Sequence, residues 1–226
     1  MDDAFPVLPN YSYDPTAILV FGGGGHGKTL VELVQSLGCY RVVGVIDDVL
    51  AAGTRVVGVP VLGGPELLPD LYRRGVRLAV NGVGGIGNPA VRVQIFEQLA
   101  DAGFVCPVVV HPTAYVEPSA ALEPGVQVLA QAYVGSDSEI GFGTVINAGA
   151  VVSHDCRLGK VVNLSPGALL AGNVTVEDYA QIGMGATVNL HVTVGRLARI
   201  GNGATVKADV PGESRVYAGT IWPVRI

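Results

Sequence analysis

His154 is followed directly by Asp155 in the stretch SHDCRLGKVVNL. A carboxylate beside an imidazole orients the ring and leaves one nitrogen as a base near neutral pH, which is what general-base catalysis requires. A second feature with chemistry lies far upstream, where AILVF, residues 17–21, runs into GGGGHG, residues 22–27. Glycines at Gly22, Gly24 and Gly27 let backbone N–H groups approach a phosphate, and the helix that follows adds partial positive charge at its N-terminus. Asp47 stands 20 positions beyond Gly27, where a carboxylate can accept a hydrogen bond from a ribose. Of the other histidines, His111 precedes Pro112 and His191 falls at a corner of the repeat described next; both are expected to be structural.

His154 sits inside a long repeat. From His111 to Val206 the chain reads in sixes, sixteen hexads without an insertion, and the sixth position is Val, Leu or Ile every time. The fourth position is almost always Ala, Val, Thr, Ser or Cys. An α-helix, with a period of about 3.6, cannot hold one residue in six on a single apolar stripe. Short strands wound into a triangular coil can, with the large aliphatic residues stacked along the axis. Three hexads make one coil, so the repeat predicts a parallel β-helix of a little over five coils, about 4.8 Å apart. His154 occupies the second hexad position, near a corner and pointing away from the axis.

Upstream the pattern changes. Residues 28–37 (KTLVELVQSL) have helical apolar spacing with Gly38 as a stop, and residues 40–46 (YRVVGVI) form a strand closed by Asp47 and Asp48. This is a β–α–β unit. Further strands are expected at 55–62, 76–80 and 104–110. Helices are expected at 65–74 and from Asn88-Pro89, which cap it, to about Gly103. The organisation expected is an N-terminal arm (1–16), an α/β Rossmann-like domain (17–110), the β-helix (111–206) and a tail (207–226) that leaves the hexad register and folds back on the solenoid end. One half of a dinucleotide-binding sheet suits a nucleotide-sugar better than a nicotinamide dinucleotide.

Composition narrows the function classes. The 226 residues carry 14 Lys+Arg against 19 Asp+Glu, a net charge of -5, with no basic cluster, which argues against a nucleic-acid partner. Hydrophobic content is 49%, but no uninterrupted apolar run reaches the length of about 18 that a spanning helix needs, so no membrane partner is expected. The acidic, Pro-rich N-terminus does not read as a secretory signal. Three cysteines without a CxxC pair read as reduced thiols, and a cytoplasmic location is expected.

The combination of GGGGHG, a strand ending in IDD, and hexads containing NAGAVVSHDCRLGKVVNLSPGALLAGNVTV resembles the hexapeptide-repeat sugar O- and N-acetyltransferases related to sialic-acid O-acetyltransferase. It is most similar to the subgroup that acetylates amino sugars of UDP, GDP or dTDP. The resemblance covers residue 17 to the C-terminus. It implies a left-handed β-helix, acetyl-CoA as co-substrate with no metal, and a homotrimer holding acetyl-CoA between neighbours. It implies His154 as general base supported by Asp155, and Gly172, one coil on, as the backbone donor to the acetyl carbonyl. Asn163 stands where the family carries a second histidine; its amide can still donate to acetyl-CoA. Met184 and Asn202 fall where the family lines the pantetheine channel. The nucleotide-sugar is assigned to Gly25, His26, Gly27, Asp47 and Asp48, with Gly63 and Asn81 on the rim. The function implied is N-acetylation of a nucleotide-linked amino-deoxy sugar. Two alternatives stay open, an O-acetyltransferase of the sialic-acid type and a catalytically silent nucleotide-binding scaffold.

Overall fold

The structure is a computed structural model and describes residues 14–223. Most of the expected N-terminal arm, residues 1–13, lies outside the described residues, as do residues 224–226 of the tail. Two compact units divide the chain. The first runs to Val83 and takes up again at Gln94–Cys106; the second comprises Gly84–Val93 and everything from Pro107. The expected α/β span of 17–110 is therefore interrupted by a ten-residue strap that belongs to the β-helical unit.

In the first unit, β1 (Ala17–Phe21), β2 (Arg41–Ile46), β3 (Arg55–Val56), β4 (Val59–Gly63) and β5 (Leu78–Asn81) form one sheet in the order β3-β4-β2-β1-β5. All neighbours are parallel except β3 and β4. β1 is buried along its whole length, as a central parallel strand covered on both faces must be. Helix α1 (Gly25–Ser36) turns Leu30, Val31, Leu33 and Val34 into the core, the face its apolar spacing dictates. Where one strand was expected over 55–62, the chain makes a hairpin. Val57 (φ 48°) and Gly58 (φ 79°) are both left-handed, the requirement of a tight two-residue turn that matches strand twist. Valine is a poor residue for that conformation, which hid the turn. The helix expected at 65–74 is a 3₁₀ turn, Pro65–Leu67, followed by α2 (Leu68–Arg73). α3 (Pro89–Asp101) begins where expected, with Asn88 Oδ1 accepting from the Ala90 N–H at 3.2 Å. The strand expected over 104–110 splits: Val105 bridges to Leu78, and Val109–Val110 opens the β-helix.

The second unit is a left-handed parallel β-helix with three walls of seven, seven and five two-residue strands. The first wall contains 109–110, 127–128, 145–146, 163–164, 181–182, 199–200 and 215–216. The second runs from Tyr115–Val116 to Ile221–Trp222 through Val151–Val152 and Leu169–Leu170, and the third from Ala121–Leu122 to Thr193–Val194. Pairing is in register at 18-residue spacing, for example Val151 with Leu169 and Leu169 with Thr187. From Val128 to Val206 every sixth-position side chain is buried in one continuous core. Each such aliphatic group contributes roughly 1.5–3 kcal/mol of transfer free energy, so the repeat tolerates no polar exception. The third hexad position is left-handed throughout 125–203, from Gly125 (φ 74°) to Gly203 (φ 63°).

The tail does not fold back. Val210 bridges to Val194, Val216 pairs with Ile200 and Trp222 with Val206, each 16 residues on. One hexad is shortened by two residues between Val206 and Val210, and the coil then resumes, which breaks the sixfold register in the sequence. Trp222 takes an inward position against the last core layer, its Nε1 donating to the Asp209 carbonyl at 2.9 Å.

Candidate functional site

His154 lies in the turn between the second and third walls, the edge of the prism that also carries Ser136, Gly172 and Leu190. Its Nδ1 and the Asp155 Oδ2 are 2.7 Å apart. A carboxylate only accepts, so Nδ1 donates, and in the neutral imidazole this is the tautomer that leaves the lone pair on Nε2. Asp155 is left-handed (φ 58°), a conformation Asp adopts more readily than most residues. Both side chains are more than half exposed. The turn is supported from within: buried Ser138 donates its hydroxyl to the Ser153 carbonyl at 2.8 Å and accepts from the Cys156 N–H at 3.2 Å. Cys156 points inward with its thiol on the Ala171 carbonyl, and burial pushes its pKa up, so it serves as a small packing residue.

The imidazole lies across Gly172. A β-carbon there would fall 2.5 Å from His154 Cε1 and 2.6 Å from Nε2, so only glycine admits the ring. The ladder uses the Gly172 carbonyl, which accepts from the His191 N–H at 3.2 Å. Among the described residues no acceptor meets the Gly172 N–H. A base and a free backbone donor thus sit together on one edge, the pair that acyl transfer needs.

In the first unit the expected nucleotide-sugar residues gather at the carboxyl ends of the parallel strands, where open α/β sheets bind ligands. Gly22 to Gly27 follows β1, Asp47 and Asp48 follow β2, Gly63 ends β4 and Asn81 ends β5. The glycines are used unequally. A β-carbon on Gly27 would collide with the Gly22 carbonyl oxygen, whereas one on Gly25 would meet nothing within 4 Å. The N-cap of α1, Gly24, is extended and makes no side-chain capping hydrogen bond. Asp47 holds the loop: Oδ2 accepts from the Gly23 N–H at 2.7 Å, and Oδ1 accepts from Val49 and Leu50 at 2.9 and 2.8 Å. Partial burial pushes its carboxyl up, and these three donors outweigh that, leaving it below the ordinary carboxylate range. Asp48 is exposed; Asn81 is fully buried, with Oδ1 accepting from the Val83 N–H at 3.1 Å.

Comparison with known proteins bears on this pairing of units. Residues 17–99 match the family model described as the PglD N-terminal domain. A crystal structure of PerB from Caulobacter crescentus, in complex with CoA and GDP-perosamine, is 36% identical with a TM-score of 0.84, covering 92% of this chain and 96% of that one. The acetyltransferase domain of PglB from Neisseria gonorrhoeae, in complex with acetyl coenzyme A, is 36% identical with a TM-score of 0.83, covering 91% and 97%. The chain belongs to the hexapeptide-repeat nucleotide-amino-sugar N-acetyltransferases. WeeI from Acinetobacter baumannii is a more distant match at 28% identity, TM-score 0.81, covering 93% and 99%. No curated protein sequence matches the chain.

As a member of that family the protein is an acetyl-CoA-dependent acetyltransferase. Among the described residues, no group of three or more His, Cys, Asp or Glu is arranged to hold a metal ion, and no helix is long and apolar enough to cross a membrane.

The residues expected on acetyl-CoA are not all brought together within the one chain. Gly172 shares the His154 edge. Met184 and Asn202 lie on the edge between the first and second walls, where Asn202 Oδ1 accepts from the Met184 N–H at 2.9 Å and Met184 stands exposed. Asn163 is on the first wall between Val145 and Gln181, buried, its Nδ2 donating to Ser165 Oγ at 3.2 Å. The strap at Gly84–Val93 is fastened to that wall. Gln181 accepts from the Gly87 N–H at 3.0 Å and donates to the Gly85 carbonyl at 3.2 Å, while Arg199 and Arg92 donate to the carbonyls of Gly87 and Gly143. Sequence reasoning missed the strap and the supporting Ser138. Ser138 was visible as a polar residue at the small fourth position; the glycine-rich strap carried no such signal.

Proposed function

We propose that the protein acetylates the amino group of a nucleotide-linked amino-deoxy sugar, with His154 as general base and the Gly172 N–H as donor to the acetyl oxygen. The observation that carries the reading is the His154 imidazole, held by Asp155 with Nε2 free and laid across Gly172. The acceptor amine attacks the thioester carbonyl carbon, forming the C–N bond as its proton passes to Nε2. The carbonyl electrons move onto oxygen, where the Gly172 N–H stabilises them. Collapse breaks the C–S bond, and the departing thiolate of CoA takes the proton from His154. One such donor accounts for about 10²–10³ in rate, and a positioned base for about 10²–10⁴. CoA with GDP-perosamine in PerB and acetyl-CoA on the PglB domain support this substrate pair.

The acceptor enters on the first unit. Gly25, His26 and Gly27 meet the pyrophosphate, Asp48 and the rim residue Gly63 meet the nucleoside or sugar, and Asp47 holds the loop in shape; Asn81, expected on the rim, is fully buried and instead supports the backbone at Val83. The working form is a homotrimer in the cytoplasm, serving glycan biosynthesis. The second wall lies between the His154 edge and the Met184–Asn202 edge, and its outward residues include Tyr115, Leu169 and Ile221, all exposed. Three copies with these walls toward a common axis bring the His154 edge of each against the Met184–Asn202 edge of the next. Acetyl-CoA then lies between copies.

Release of CoA thiol from acetyl-CoA with a panel of nucleotide-linked amino sugars, beside hydroxyl acceptors such as sialic acid, tests the reading. Turnover on an amino sugar that is lost in His154→Ala, with trimer and nucleotide-sugar binding retained, is the expected result. Turnover on hydroxyl acceptors alone, or unchanged turnover in His154→Ala, overturns it.

A further inference from the structure

The second hexad position poses a problem at every corner. Its N–H points away from the ladder, so its partner must come from elsewhere. Pro112, Pro118, Pro124 and Pro166 remove the donor altogether. At two places the partner is the side chain in the same position one coil on. Asp178 Oδ1 accepts from the Lys160 N–H at 2.8 Å, on the edge between the third and first walls. Asn202 Oδ1 accepts from the Met184 N–H at 2.9 Å, on the edge between the first and second walls.

On the catalytic edge the corresponding pair is Gly172 and Leu190. The turns are stacked in the same way: Thr187 pairs with Leu169, Thr193 with Thr175, and the His191 N–H bonds the Gly172 carbonyl. Leu190 therefore stands where Asp178 and Asn202 stand on the other edges. Its side chain has no atom that accepts a hydrogen bond. Nor is it there to fill the core, since 58% of it is exposed.

We propose that Leu190 is a positioning residue whose function is to leave the Gly172 N–H uncapped, so that this donor is available to the acetyl oxygen. The inference rests on Gly172 as the oxyanion donor. An Asn or Asp at this place would close on the donor, as Asp178 and Asn202 do at Lys160 and Met184, and the enzyme would inhibit itself. The apolar side chain also keeps water from being held at the donor by a polar neighbour.

The test compares Leu190→Asn with Leu190→Ala in the full-length protein. It reads kcat and KM by CoA-thiol release, and the Gly172 amide proton by NMR without ligand. Leu190→Asn is expected to shift that amide proton downfield and to lower kcat by about 10²–10³-fold, leaving KM for the amino sugar in place. Leu190→Ala, which also lacks an acceptor, is expected to lower kcat far less and to leave the amide resonance near its original position. Equal losses in the two variants overturn the proposal, because the leucine would then act by packing. A shifted amide with undiminished kcat overturns it together with the assignment of Gly172 as donor. Lost rate without an amide shift overturns the capping geometry alone and leaves that assignment standing.

Discussion

The His154 ring and the Gly172 α-carbon, one coil apart, are in contact closely enough that a β-carbon at 172 would lie 2.6 Å from Nε2. The proposed base and the proposed backbone donor are thus set by a single packing contact. Gly172 has an ordinary backbone conformation, so alanine there strains nothing except the ring. Gly172→Ala is expected to keep the fold and trimer while swinging the imidazole off the edge. The expected loss in kcat is about 10²-fold or more, measured by CoA-thiol release and checked by a structure of the variant.

Asp155 has two duties that a substitution can separate. Asparagine tolerates the left-handed backbone at φ 58°, so Asp155→Asn leaves the turn intact. Its amide oxygen still accepts, but the charge that stabilises the imidazolium is gone. A fall in kcat of about 10-fold or more is expected with unchanged thermal stability. Asp155→Ala adds backbone strain of about 1–2 kcal/mol and should show a lower Tm as well.

How much of this was legible before the structure depends on how far each meaning lies from its residue. The β-helix was readable because sixteen hexads repeat one local rule, an aliphatic residue at the sixth position. His154 and Asp155 were readable because they adjoin. The hairpin at Val57–Gly58 was not, since tertiary pairing of β3 with β4 overrides the reluctance of valine for a left-handed turn. The continued coil at 207–223 was hidden by a two-residue shortening, and the strap by its glycines. Leu190 has meaning only against Gly172, Asp178 and Asn202, a comparison that needs the stacked turns.

The glycine loop offers a separation of fold from binding. Gly27→Ala drives a β-carbon into the Gly22 carbonyl, whereas Gly25→Ala meets nothing within 4 Å. Gly27→Ala is expected to lower Tm. Gly25→Ala is expected to keep Tm and weaken nucleotide-sugar binding about tenfold, read by calorimetry, because its methyl group occupies the anion's approach.

Asp47 gives the first unit a pH dependence whose sign follows from its lowered pKa. A depressed folded-state pKa stabilises the protein fully above the unfolded value of about 3.9, and the contribution is lost as pH falls through the folded value. Asp47→Asn is therefore expected to lower Tm at pH 7. The gap between variant and parent should close as the pH drops below about 4, where the parent loses the same charge. A gap that stays constant into acid would mean that the carboxylate charge contributes nothing to holding Gly23, Val49 and Leu50.

The last prediction concerns assembly. Leu169 is an exposed aliphatic side chain on the second wall, paired with Val151 below and Thr187 above. Tyr115 and Tyr133 stack on the same face with ring centroids 6.3 Å apart. A charge at 169 costs little in a monomer, where the position faces water, and several kcal/mol where three copies bury it without a partner. Leu169→Arg is thus expected to reduce the mass seen by light scattering from trimer to monomer while far-ultraviolet dichroism stays unchanged. Activity should fall with the trimer, although His154 and Gly172 remain intact within each chain, because in the proposed arrangement Met184 and Asn202 of a neighbour complete the acetyl-CoA site. A monomeric variant with full turnover would place the whole site within one chain and reverse that assignment.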